Sequence, residues 1–102
     1  MKRGEVWLTQ IGPKRRPVLV LTRDSVLDVR ELVTVAEITT SGRGLAVEVS
    51  LDDMDLGLDP TSVVNCDGLY TIPRSSLTDL VGAADPAVMR DVCWAIGYGL
   101  GC

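Results

Sequence analysis

A chain of 102 residues, 46% hydrophobic and 24% charged, has room for one packed core and is too apolar for a disordered segment. Its formal charge of −4 argues against nucleic acid as a partner until the distribution is read. Residues 1–44 carry eight Lys/Arg and five Asp/Glu, while residues 45–102 carry two and nine, so any phosphate-binding surface must be built from the first half.

Glu5-Val6-Trp7-Leu8-Thr9-Gln10 alternates polar and apolar residues, the pattern of a half-buried strand, and Gly12-Pro13 ends it. Pro17-Val18-Leu19-Val20-Leu21 is continuously apolar, as in a strand covered on both faces. Residues 23–31 are polar and read as a loop or one helical turn. Leu32 to Thr39 reads as the third strand, Ser41-Gly42-Arg43-Gly44 as a turn, and Leu45 to Val49 as the strand that completes a hairpin with it. An acidic connection from Asp52 to Asp59 follows. Ser62 to Cys66 and Leu69 to Ile72 then read as two short strands around a turn at Asp67-Gly68, with Leu80-Val81-Gly82 as one more.

The end of the chain changes character. Asp85 suits an N-cap and Pro86 the first helical position, and Val88, Val92, Ile96 and Leu100 recur at i, i+4 spacing. Trp94 and Tyr98 fall on the opposite helical face. Such a pair ordinarily serves core or dimer packing, with RNA stacking the alternative. Many short strands and one terminal helix predict a mainly β fold with a C-terminal α-helix: a small antiparallel barrel occupying residues 1–102 as one domain. No apolar run reaches the roughly 18 residues of a membrane span. No signal-peptide core follows Lys2-Arg3. A cytoplasmic protein without membrane association is expected.

The chemistry available is restricted. The chain has no His, and Cys66, Cys93 and Cys102 form no C-x-x-C pair, so neither a metal site nor a cofactor is expected. Cys66 and Cys93 read as small buried apolar residues and Cys102 as exposed. Acid–base work would fall to carboxylates, hydroxyls, Tyr, Lys or a guanidinium.

Four ordered blocks resemble the MazF/PemK toxins: Gly4-Glu5-Val6-Trp7, Arg16-Pro17-Val18-Leu19-Val20-Leu21, Val33 to Thr39 ending in Ile-Thr, and Ser62 to Asp67 followed by Thr71-Ile72. The resemblance implies an SH3-like barrel, usually a homodimer. It also implies a toxin of a toxin–antitoxin pair, a sequence-specific endoribonuclease that cleaves single-stranded RNA without metal and is neutralised by a cognate antitoxin. Such cleavage leaves 2′,3′-cyclic phosphate and 5′-hydroxyl ends and inhibits translation and growth. The alternative from another class is a non-enzymatic inhibitor like the gyrase-poisoning CcdB toxins, thought to share the barrel.

The family's catalytic arginine and threonine fall on Arg16 and Thr39. Taken alone, Arg16 is a surface charge before a buried strand, and Thr39 a β-branched strand end. As catalytic groups, a guanidinium fork and a hydroxyl donor suit the extra negative charge of a phosphorane. Lys14, Arg15, Arg43 and Asp67 are the remaining candidate RNA contacts. The sequence departs from the family in its short first loop (Ile11 to Arg15), in Gly68 where an amide side chain is common, and in Glu37 where Pro or Ala usually precedes Ile-Thr. Alternation puts Glu37 on the face of Thr39, where it reads as a surface acid, a partner for Arg16, or a candidate acid/base.

Overall fold

The computed structural model describes residues 1–51 and 56–102. Strands β1 (Glu5–Ile11) and β2 (Lys14–Val20) lead into a short helix α1 (Asp24–Leu27). Strands β3 (Leu32–Thr39), β4 (Glu48–Ser50), β5 (Val63–Pro73) and β6 (Leu77–Ala83) follow, with a 3-10 turn at Arg74–Ser76, and helix α2 (Pro86–Leu100) ends the chain. The six strands form one antiparallel sheet in the order β4-β5-β3-β2-β1-β6.

Both faces of this sheet are covered. Val6, Leu19, Ala36, Ile38, Val64 and Cys66 pack beneath Val92 and Ala95 of α2. On the other face, Val18, Val20, Val33 and Val35 pack with Leu27 of α1 and Leu77 of β6. The uninterrupted apolar run of β2 follows from this, because Val18 and Leu19 serve opposite cores and each is fully buried. Register shifts at Val6/Trp7 and Leu8/Thr9 of β1, and between Ala36 and Glu37 of β3, bend the sheet. The mainly β architecture with a C-terminal helix is as expected, and β4 and β6 are the edges of the sheet.

Helix α2 starts as its sequence indicates. The Asp85 carboxylate accepts the amide of Val88 at 2.8 Å with Pro86 in the first turn, and Gly101 closes the helix at φ 77°. The stripe is shorter than its spacing suggests, since Val92 is buried but Leu100 is 66% exposed. Trp94 and Tyr98 do not enter the core of the chain. They are 61% and 60% exposed and stack on each other with ring centroids 5.4 Å apart. Cys66 is buried and Cys102 exposed as expected, but Cys93 is exposed, because the buried stripe passes through Val92 and Ala95 beside it. Burial pushes the Cys66 thiol up to about 11.

Two further expectations are corrected. Residues 45–49 do not form a hairpin with β3: only Glu48–Ser50 is a strand, and it pairs with β5, so the connection from β3 crosses the end of β5. The Glu48 carboxylate draws that connection tight by accepting the amides of Arg43 at 2.8 Å and Leu45 at 2.9 Å. The two short strands around Asp67-Gly68 are one strand, β5. Its register against β3 jumps from Ala36↔Leu69 to Glu37↔Asn65, so Cys66, Asp67 and Gly68 bulge out of an unbroken strand. Of the acidic connection, Asp52 to Asp55 lie outside the described residues.

Candidate active site

The site begins with a proline. Pro17 has no N–H to give to a neighbouring strand, and the β2–β3 ladder starts one residue later at Val18↔Glu37. Upstream of it, residues 14–17 are paired only with β1. The space left between β2 and the end of β3 is a groove of about 360 Å³ lined by Lys14, Arg16, Pro17, Ile38, Thr39, Thr40, Ser41 and Ser62. Extending the Val18↔Glu37 register by two residues sets Arg16 opposite Thr39. The first hairpin is tight: Ile11 pairs with Lys14 across Gly12-Pro13. Gly12 at φ 59° supplies the left-handed first position of such a turn, and Pro13 suits the second. That turn holds Lys14 at the groove mouth.

Within the groove, Arg16 Nη1 stands 3.8 Å from Glu37 Oε1, with both side chains partly exposed. The pairing of Glu37 with Arg16, one of the expectations for it, is present. The Thr39 hydroxyl accepts the amide of Ser41 at 3.1 Å, which engages a lone pair and leaves its proton to donate. A cation, a guanidinium fork and a hydroxyl donor therefore converge, which is the donor set for a phosphate whose charge grows during reaction.

The other predicted contacts divide. Arg43 sits in the turn closed by Glu48, two residues beyond Ser41 of the groove wall, and does not itself line the groove. Arg15 does not reach the groove: strand alternation turns it away from Arg16, and its guanidinium pairs with Asp79 and donates to Thr78 of β6 at 2.8 Å. Asp67 is also displaced. The β5 bulge carries it toward the end of α2, where its Oδ1 lies 3.0 Å from the position a Cβ would take on Gly99. Among the described residues no three His, Cys, Asp or Glu side chains are arranged to hold a metal ion.

Sequence reasoning missed Ser62, a groove residue only 4% exposed, along with the hydroxyl-bearing Thr40 and Ser41. Asn65 was read only as part of a strand. Its pairing with Glu37 on one side and Glu48 on the other sets it in a polar row running across β3, β5 and β4. Only the register of distant strands reveals that row.

The family described as PemK-like, MazF-like toxin of type II toxin–antitoxin system matches residues 2–99. A probable endoribonuclease of Mycobacterium tuberculosis, MazF2, is 35% identical over 102 residues, covering 100% of both chains. The solved structure of the M. tuberculosis toxin MazF-mt6 superposes with a TM-score of 0.86 at 40% identity, covering 95% of this chain and 96% of that one. A mycobacterial endoribonuclease solved in complex with its cognate antitoxin superposes at 0.85 with 27% identity, covering 99% of this chain and 95% of that one. With residues 2–99 matched by the family and a 35% identical relative covered along its whole length, the chain belongs to the PemK-like, MazF-like toxins of type II toxin–antitoxin systems.

Proposed function

We propose that the groove between β2 and β3 is where this toxin, an endoribonuclease, cleaves single-stranded RNA without a metal ion. The neighbouring 2′-oxygen attacks phosphorus as its proton leaves, the 5′-oxygen departs and takes up a proton, and a 2′,3′-cyclic phosphate and a 5′-hydroxyl result. Arg16 binds two oxygens of the phosphorane and Thr39 donates to a third contact, while Lys14 and Arg43 hold flanking phosphates. Glu37, 3.8 Å from Arg16, is the carboxylate nearest to serve as acid or base. The toxin works as a cytoplasmic homodimer and is silenced by a cognate antitoxin that occupies the same cations. Family membership favours this reading over the gyrase-binding one.

The observation that carries it is the meeting of Lys14, Arg16 and Thr39 around one groove opened by Pro17. The test is cleavage of single-stranded RNA in excess EDTA, with end-group analysis. Cyclic phosphate and 5′-hydroxyl ends at an undiminished rate are expected. Loss of cleavage in EDTA with recovery in magnesium would overturn the mechanism.

A further inference from the structure

The groove does not end at Thr40. That residue also lines a second cleft, of about 600 Å³, with Gly42, Leu45, Glu48, Ser50 and Val63. The two hollows adjoin on both sides: Gly42 follows Ser41 in the turn after β3, and Val63 opens β5 directly after Ser62. The second cleft is open to a ligand. At Gly42 the turn lies directly on β5, where a Cβ would meet Val63 Cγ2 at 3.2 Å, but a Cβ on the lining residue Gly44 would have no atom within 4 Å. Leu45 is 43% exposed.

The cleft differs from the groove in its chemistry. Among the described residues no Lys or Arg lines it, and its one charge is the Glu48 carboxylate. That carboxylate is fixed in place by the amides of Arg43 and Leu45, and it repels a phosphate. The rest of the lining offers two aliphatic side chains, Leu45 and Val63, beside the hydroxyls of Thr40 and Ser50. A nucleobase has the matching form, apolar on its flat faces and hydrogen-bonding along its edge.

We propose that this cleft holds an unpaired base of the RNA, close to the phosphate held by Arg16, so that the groove takes the backbone and the cleft takes the base. This inference rests on the catalytic reading of the groove given above. Single-stranded RNA is recognised through bases splayed out of the stack onto the protein. Thr40 belongs to both hollows and follows Thr39 directly, so a strand crossing Thr39 passes the mouth of the cleft. Leu45 and Val63 cover the face of the base, and the hydroxyls meet its edge.

The test uses short RNA substrates in which one nucleotide at a time near the cut is replaced by an abasic ribose. At one position, removing the base should lower kcat/KM by about 10-fold or more, with KM carrying most of the change. That is the worth of withdrawing roughly 60 Å² of apolar surface from water. Leu45→Ala, at an exposed side chain, should weaken cleavage of the intact substrate and shrink the penalty at that position. Ser50→Trp, which fills the cleft from β4, should slow the intact substrate and spare the one abasic there. Lys14→Ala, in the groove, should slow both in equal proportion. If neither Leu45→Ala nor Ser50→Trp changes the intact-to-abasic ratio at any position, the cleft holds no base and the groove reading stands. Weakened antitoxin binding in these two variants with RNA cleavage unchanged would give the cleft to the antitoxin and overturn the proposal. A wild-type rate for Arg16→Ala would overturn the groove reading itself.

Discussion

Arg16 and Thr39 stand on neighbouring strands with the groove between them, and in the proposed mechanism each gives donors to the reacting phosphate. Removing one preorganised donor to a developing oxyanion typically costs about 10²-fold in rate. Arg16→Ala and Thr39→Ala should therefore each lower single-turnover cleavage by about that factor, with circular dichroism spectra unchanged. A near-wild-type rate in either variant would remove that residue from catalysis. Arg15 is not an understudy for Arg16, because Asp79 and Thr78 hold it over β6. At this scale the sequence was partly legible. The strand motifs located Arg16 and Thr39, and simple alternation put Glu37 on their face, where it does meet Arg16. Ser62 and Asn65 were not legible, because their positions depend on β5 pairing with β3 and β4 across long stretches of chain. Cys93 was misread because i, i+4 spacing fixes a helical stripe without saying how wide the buried strip is.

Among the elements, β3 could be read to its boundaries, since Leu32–Thr39 is rich in β-branched residues and bracketed by polar ones. The region from 41 to 73 could not. Asp67-Gly68 has turn chemistry, yet the residues there bulge from β5, and a bulge uses the same residue types as a turn. The short β4 has little pattern of its own, and its place at the sheet edge depends on Glu48. Backbone hydrogen bonds from Leu45 and Arg43 hold the Glu48 carboxyl below its ordinary value. A lowered native value means that this contribution is present above the unfolded value near 4.5 and is lost as pH falls through the native one. Glu48→Gln should therefore lower Tm at neutral pH, and the gap to wild type should close on acidification below about 4.5. A gap independent of pH would mean that the amide serves the turn as well as the carboxylate does.

For the molecule as a whole, net charge and function pull in opposite directions. A chain of charge −4 repels RNA at long range, so attraction has to come from cations gathered at the groove. Two of the basic residues expected to meet RNA, Lys14 and Arg16, line it, and Arg43 follows its wall residue Ser41 by two positions. Neutralising about three phosphates gives a slope of roughly −2 for log K against log salt on single strands, or roughly 20-fold weaker binding between 50 and 200 mM. Titration of an oligonucleotide with a deoxy substitution at the scission site measures this. A slope near zero would show that the groove cations do not hold the backbone. The same titration with antitoxin present should show the two ligands excluding one another, and a ternary complex of undiminished affinity would separate their sites.

The pairing of β1 with β6 joins Glu5 to Ala83, 78 positions apart in sequence. Leu77, at the start of β6, is also part of the core behind Val18 and Val35. Contacts so far apart in sequence cannot form until the second partner has been synthesised, and closing such long loops is slow. The strand that carries Arg16 leaves the ribosome early, but its neighbour β1 remains an open edge, and the core behind it stays unfilled, until β6 follows. The order of the strands thus acts as a delay: the sheet beside the strand of Arg16 stays open until residues 77–83 have been made.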